Sequence, residues 1–125
     1  MSWNISLEPG ADIDTSQDPR LPIELLKKRL KGLRPAARAL GIDHGNLAKM
    51  LERSRPIPNE ISQRALDLDY VIEKALHVLV GRSVVDWLTG HSIAFGGARP
   101  VDVLAAEGPA PLIAELSRKA SGGYA

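Results

Sequence analysis

Between Pro58 and Gly81 the chain carries an unbroken helical periodicity, and nothing else in it restricts the fold as strongly. Ile61, Ala65, Leu68, Ile72, Ala75, Leu76 and Leu79 follow one another at steps of four, three, four, three, one and three. That spacing predicts one amphipathic helix from about Glu60 to Val80, about 30 Å long, with Asn59 placed to cap its start and Gly81 to end it. Val71, Val78 and Val80 widen the apolar stripe beyond what one contact surface needs. We therefore expect two surfaces, one for the chain's own core and one for a partner, most simply a second copy. The alternative is a central helix packed on both sides within a monomer. Only 4% of the residues are aromatic, so the core is built from Leu, Ile, Val and Ala, which suits helix packing. The fold class expected is all-α.

After this helix the chain turns a corner. Ser83 is placed to cap a short helix, and Asp86 follows three residues on, where a carboxylate faces orphan amides. Val84, Val85, Trp87 and Leu88 give that helix a wide apolar face, and Thr89-Gly90 stops it. Gly96-Gly97 allows positive φ or a close backbone approach. Pro100 suits the first turn of a new helix carrying Val101, Val103 and Leu104 and ending near Gly108. Pro109 and Pro111 open a last helix with an apolar face of Leu112, Ile113 and Leu116. Arg118 and Lys119 sit in its last turn, where they favour the dipole, and Ser121 to Ala125 form a tail.

The half before the long helix is basic. Between Arg20 and Pro58 ten Lys and Arg stand against three Asp and Glu, a balance of +7, while the rest of the chain carries −6. That asymmetry suggests a polyanion partner for the basic part, although charges of this kind also serve only to solvate helix faces. Ile23, Leu26 and Leu30 predict a helix with Lys27, Lys28, Arg29 and Lys31 around the stripe, ended by Gly32. Next come a short helix from Arg34 to Leu40 with Pro35 in its first turn, and a second from Gly45 to Arg53. This pair has helix-turn-helix spacing: Ala37 small at the crossing, Gly41 in the turn, and Leu40, Ile42, Leu47 and Met50 as buried contacts. Asp43 is placed to cap the second helix. Its outer side would present His44, Gly45, Asn46, Lys49 and Arg53 to a major groove, Asn46 toward adenine, Lys49 toward guanine or phosphate, and Arg53 toward phosphate. The plainer possibility is a helical hairpin that only packs.

Other functions are poorly served. There is no cysteine, so thiolate metal sites and cysteine nucleophiles are excluded. His44, His77 and His91 are not at ligand spacing, Gly96-Gly97 lacks the Lys-Ser/Thr of a P-loop, and no Ser lies in a nucleophile elbow. We expect no enzyme, no metal and no cofactor. No apolar run reaches transmembrane length, and Glu8, Asp12 and Asp14 have the wrong sign for a signal peptide, so a cytoplasmic location is expected. Residues 1–22 read as an irregular arm, with a short strand conceivable where Trp3, Ile5 and Leu7 alternate with polar residues.

The order Asp86-Trp87-Leu88, then Gly97-Ala98-Arg99-Pro100-Val101-Asp102-Val103-Leu104, then Gly108, Leu116 and Gly122, resembles the toxin-binding domain of the Xre/MbcA/ParS antitoxin family. The likeness covers roughly residues 68–124, and the family also carries an Xre-like helix-turn-helix upstream. It departs where the family has Pro-Asn-like residues after Trp-Leu-x and this chain has Gly90-His91-Ser92-Ile93. The resemblance implies a type II antitoxin that binds and silences a RES-domain, NAD⁺-degrading toxin by covering its active-site mouth. It implies dimers and repression of the chain's own operon through operator DNA. Carried over to this sequence, Trp87, Phe95 and Arg99 would shape the toxin-binding surface. Arg118, Lys119, Ser121, Gly122, Gly123 and Tyr124 would lie near the toxin pocket. The expected organisation is an arm over 1–22, a DNA-binding lobe over 23–58 and a toxin-binding lobe over 59–125. A dimeric helix-turn-helix regulator without a toxin, and an adaptor without any DNA role, are the competing expectations.

Overall fold

The computed structural model describes residues 18–79 and 83–122, and every regular element among them is helical. In order they are α1 (Arg20–Leu30), α2 (Leu33–Leu40), α3 (His44–Leu51), α4 (Asn59–Val78), α5 (Val84–Thr89), a 3-10 turn (Ile93–Phe95), α6 (Pro100–Glu107) and α7 (Ala110–Gly122). The all-α expectation holds. The irregular arm over 1–17, with the strand conceivable around Trp3, Ile5 and Leu7, lies outside the described residues, as do Val80 and Gly81.

The long helix is the element that the others lean on. Ile61, Ala65, Leu68, Val71, Ile72 and Ala75 of α4 are buried, and α1, α2, α5, α6 and α7 all contact it. α1 runs parallel to α4. Ser62 Oγ donates to Pro19 O over 2.8 Å at one end, and Arg29 Nε donates to Asp69 Oδ1 at the other. Buried side chains from Ile23 in α1 to Leu116 in α7 form one contiguous cluster, so the basic and acidic halves share a core. Two further ties join them. Arg38 of α2 donates from Nη2 to Thr89 Oγ1 (3.0 Å) and lies 3.6 Å from Asp86 Oδ1, both on α5. Arg64 of α4 donates from Nη1 to Leu40 O over 3.1 Å, satisfying a carbonyl that the end of α2 leaves without a helical partner.

Helix ends follow from local chemistry. Asp43 Oδ2 accepts from Gly45 N (3.0 Å) and Asn46 N (3.2 Å), the expected cap of α3. Ser83 Oγ accepts from Asp86 N (3.3 Å), and Pro100 occupies the start of α6. α1, α2 and α3 each end in a left-handed residue whose flanking amides return to the last turn: Lys31 (φ 64°), Gly41 (φ 73°) and Arg53 (φ 70°).

Four boundaries differ from the sequence reading. α1 starts at Arg20, three residues before Ile23, so the first helix takes in the end of the supposed arm. Pro22 is tolerated because the first-turn amides have no helical acceptor in any case. Asn59 does not cap α4; it is the first helical residue, and Pro58 holds the cap position without a side-chain bond. Leu76 does not join the buried stripe and is 54% exposed, because a step of one residue from Ala75 rotates it about 100° around the axis. Arg53 is not on α3, which ends at Leu51.

Candidate functional site

The basic half offers the first surface. Of its ten cations, Arg20 pairs with Asp18, Lys27 with Glu24, Arg29 with Asp69 and Arg38 with Asp86. Lys28, Lys31, Arg34, Lys49, Arg53 and Arg55 have no carboxylate partner among the described residues. On α3, His44 and Lys49 are exposed, Gly45 and Asn46 half-buried, and Leu47 and Met50 turned inward. The helix-turn-helix spacing is therefore realised as two short helices joined through Gly41, with Ile42 N donating to Ala37 O over 3.0 Å. The N-terminus of α3 is already occupied: the Asp43 carboxylate caps it, and a β-carbon on Gly45 would lie 3.0 Å from Asp43 Oδ2. A side chain at Gly45 would have to be met by a small shift of the exposed Asp43 carboxylate. A phosphate approaching the helix start would meet that carboxylate, so any attraction would have to come from Lys49 and, beyond the helix, from Arg53 in the turn. Lysines and arginines at these exposed positions remain strongly solvated until a polyanion displaces the water and counterions.

The corner offers the second. Trp87 of α5, the turn residues His91, Ser92, Ile93 and Ala94, and Glu115, Arg118 and Lys119 of α7 line an open cleft of about 610 Å³. Trp87 is only 3% exposed, so it forms the floor through packing, and its loss would open the core rather than trim a contact. Phe95 is half-buried and packs on the core, anchoring the turn from beneath. Ile93, two residues earlier, is 98% exposed.

Glu115 is the residue that sequence reasoning missed. Its side chain is 9% exposed and it holds both cations of the cleft. Arg118 Nε and Nη2 donate to Oε1 and Oε2 over 3.0 and 2.7 Å, and Lys119 Nζ lies 3.6 Å from Oε2. The Arg118 hydrogen bonds hold the carboxyl below the ordinary glutamate range, against burial, with Lys119 adding to the effect. The signal was present as a glutamate three and four residues before two cations on one helix face. Two cations on one carboxylate leave an excess positive charge at the mouth.

Arg99 does not reach this cleft. It sits at the cap position of α6 and binds Asp102 with two hydrogen bonds, 2.8 Å from Nε to Oδ2 and 3.0 Å from Nη2 to Oδ1. That contact holds the Asp102 carboxyl below its usual range. Ser121 Oγ donates to Ser117 O over 2.9 Å and Gly122 is the last helical residue, both exposed. Gly123 and Tyr124 lie outside the described residues.

Among the described residues no three His, Asp or Glu side chains are grouped to hold a metal ion, and no helix is long and apolar enough to cross a membrane. A comparison with protein families, with curated proteins and with solved structures finds no match to this chain.

Proposed function

We propose that this chain is an antitoxin that neutralises a RES-domain, NAD⁺-degrading toxin by covering its active site, and that it also binds operator DNA through α2 and α3. The observation that carries this reading is the cleft at the corner. Trp87 and the Arg118-Lys119 pair, singled out by the family resemblance, are about thirty residues apart in sequence and yet line one depression with the 91–94 turn. A depression with an excess positive charge and an exposed apolar side chain is suited to a protein surface that offers carboxylates around an apolar patch. The DNA arm of the proposal draws on the unpaired cations around α3 and on the exposed Lys49. A homodimer would use the apolar side chains that α4 leaves uncovered, Leu66, Tyr70 and Leu76.

One alternative has an observation of its own. Six cations of the basic half without a carboxylate partner among the described residues suit a dimeric helix-turn-helix regulator that has no toxin. Co-expression with the product of the adjacent reading frame separates the two. A stoichiometric complex with a RES-domain protein supports the antitoxin. Sequence-specific duplex binding by the chain alone, with no protein partner retained, supports the regulator and sinks the first reading.

A further inference from the structure

Ile93 is held in water by a turn that has little freedom to bury it. Its exposure is 98%, against 39 to 58% for the other exposed large apolar side chains among the described residues. The turn is braced on every side. Phe95 N donates to Ser92 O (3.1 Å), Gly96 N to Ile93 O (3.0 Å), Gly97 N to Ser92 O (2.8 Å), Ala98 N to Phe95 O (3.1 Å) and Ser92 N to Ala98 O (3.0 Å). His91 Nδ1 adds a bond of 2.8 Å to Gly97 O. Gly96 and Gly97 supply the reversal at φ 65° and 92°, and Phe95 packs on the core below. Single exposed apolar residues are ordinary. A β-branched one at the tip of a braced turn is different, because part of the backbone and χ1 freedom that binding would remove is already restricted.

We infer that Ile93 is the anchor of the partner interface: its side chain enters an apolar socket on the partner protein, and Arg118 and Lys119 beside it meet carboxylates around that socket. This rests on the antitoxin reading and names the chemistry of the surface that the toxin must present. Charge argues against a second copy as the occupant. A twofold contact centred on this cleft would bring the two cations of each copy together with only one carboxylate apiece.

The test uses the full chain and the purified RES-domain protein of the adjacent reading frame, with Kd from calorimetry and NAD⁺ consumption read in parallel. Ile93→Asp is expected to weaken the complex at least ~30-fold, the scale of a hot-spot loss, with an unchanged melting temperature because the side chain is exposed. Ile93→Leu retains most of the affinity, and Leu25→Asp, a comparable change on exposed α1, leaves it unaltered. If the wild-type chain binds and Ile93→Asp binds equally well, the anchor is wrong and the antitoxin reading survives. If the wild-type chain does not bind, both fall. If Ile93→Asp instead dissolves a self-association and leaves partner affinity unchanged, the occupant is a second copy and the inference is overturned.

Discussion

Arg53 gives the sharpest separation of stability from binding. It adopts φ 70° at the end of α3, where Arg53 N donates to Met50 O (3.3 Å) and Ser54 N to Lys49 O (3.0 Å). That is the glycine position of a helix-ending motif, filled by a long cation. A side chain there costs about 1–2 kcal/mol of steric strain. Glycine would relieve it but would gain about 0.5–1 kcal/mol of extra freedom in the unfolded chain. Arg53→Gly is therefore expected to stabilise the protein by about 0.5–1 kcal/mol, a rise in Tm of a few degrees. The same change removes a cation proposed to meet phosphate. Counterion release assigns about 0.9 to the salt slope for one phosphate contact, which at ~0.15 M salt is about fivefold in affinity. Thermal melts and salt-dependent titration with operator duplex read the two effects on one sample. A lower Tm would refute the strain reasoning. An unchanged affinity and salt slope would remove Arg53 from any DNA interface.

Other substitutions test single contacts. Asp43→Ala should cost about 1 kcal/mol in urea denaturation through loss of the α3 cap, yet raise duplex affinity by removing a negative charge from the start of that helix. Arg38→Gln should cost about 0.5–1 kcal/mol, since its partners on α5 are half in solvent, and should leave duplex affinity unchanged because Arg38 is already committed to Asp86 and Thr89. Glu115 is held below the ordinary glutamate range in the folded chain, so its pairing stabilises the fold above that range and the contribution is lost as pH falls below it through the lowered folded value. The Tm gap between wild type and Glu115→Gln, measured from neutral to acid pH, should accordingly close toward the acid end.

Much of the scaffold was readable because it depends on neighbours in sequence. The caps at Asp43 and Ser83, the left-handed Gly41 and Gly96, and Pro100 at a helix start each express a local rule, and periodicity alone gave the buried side of α4. What escaped was set by distance in space. Arg38 reads as one more cation of a basic segment until α5 is folded against α2. Trp87 invites assignment as a contact residue, but packing against α2, α4 and α6 from α5 leaves it 3% exposed. Ile93 has no periodic partner, so nothing in its neighbours distinguishes a buried turn residue from one that stands out in water. Glu115 is hidden beside the two cations it binds, because a lone acid on a helix reads as solvated until its burial is known. The first turn of α1 was lost to composition: Pro19 and Pro22 look like linker, although proline fits a first helical turn.

The central claim is that the corner cleft covers a toxin's active site. NAD⁺ consumption by the proposed RES-domain partner, to be sought in the adjacent reading frame, measured alone and with a stoichiometric amount of this chain, tests it most directly. Hydrolysis suppressed in the presence of the wild-type chain and restored by Ile93→Asp is the expected result. Unabated hydrolysis in a large excess of folded wild-type chain would contradict it.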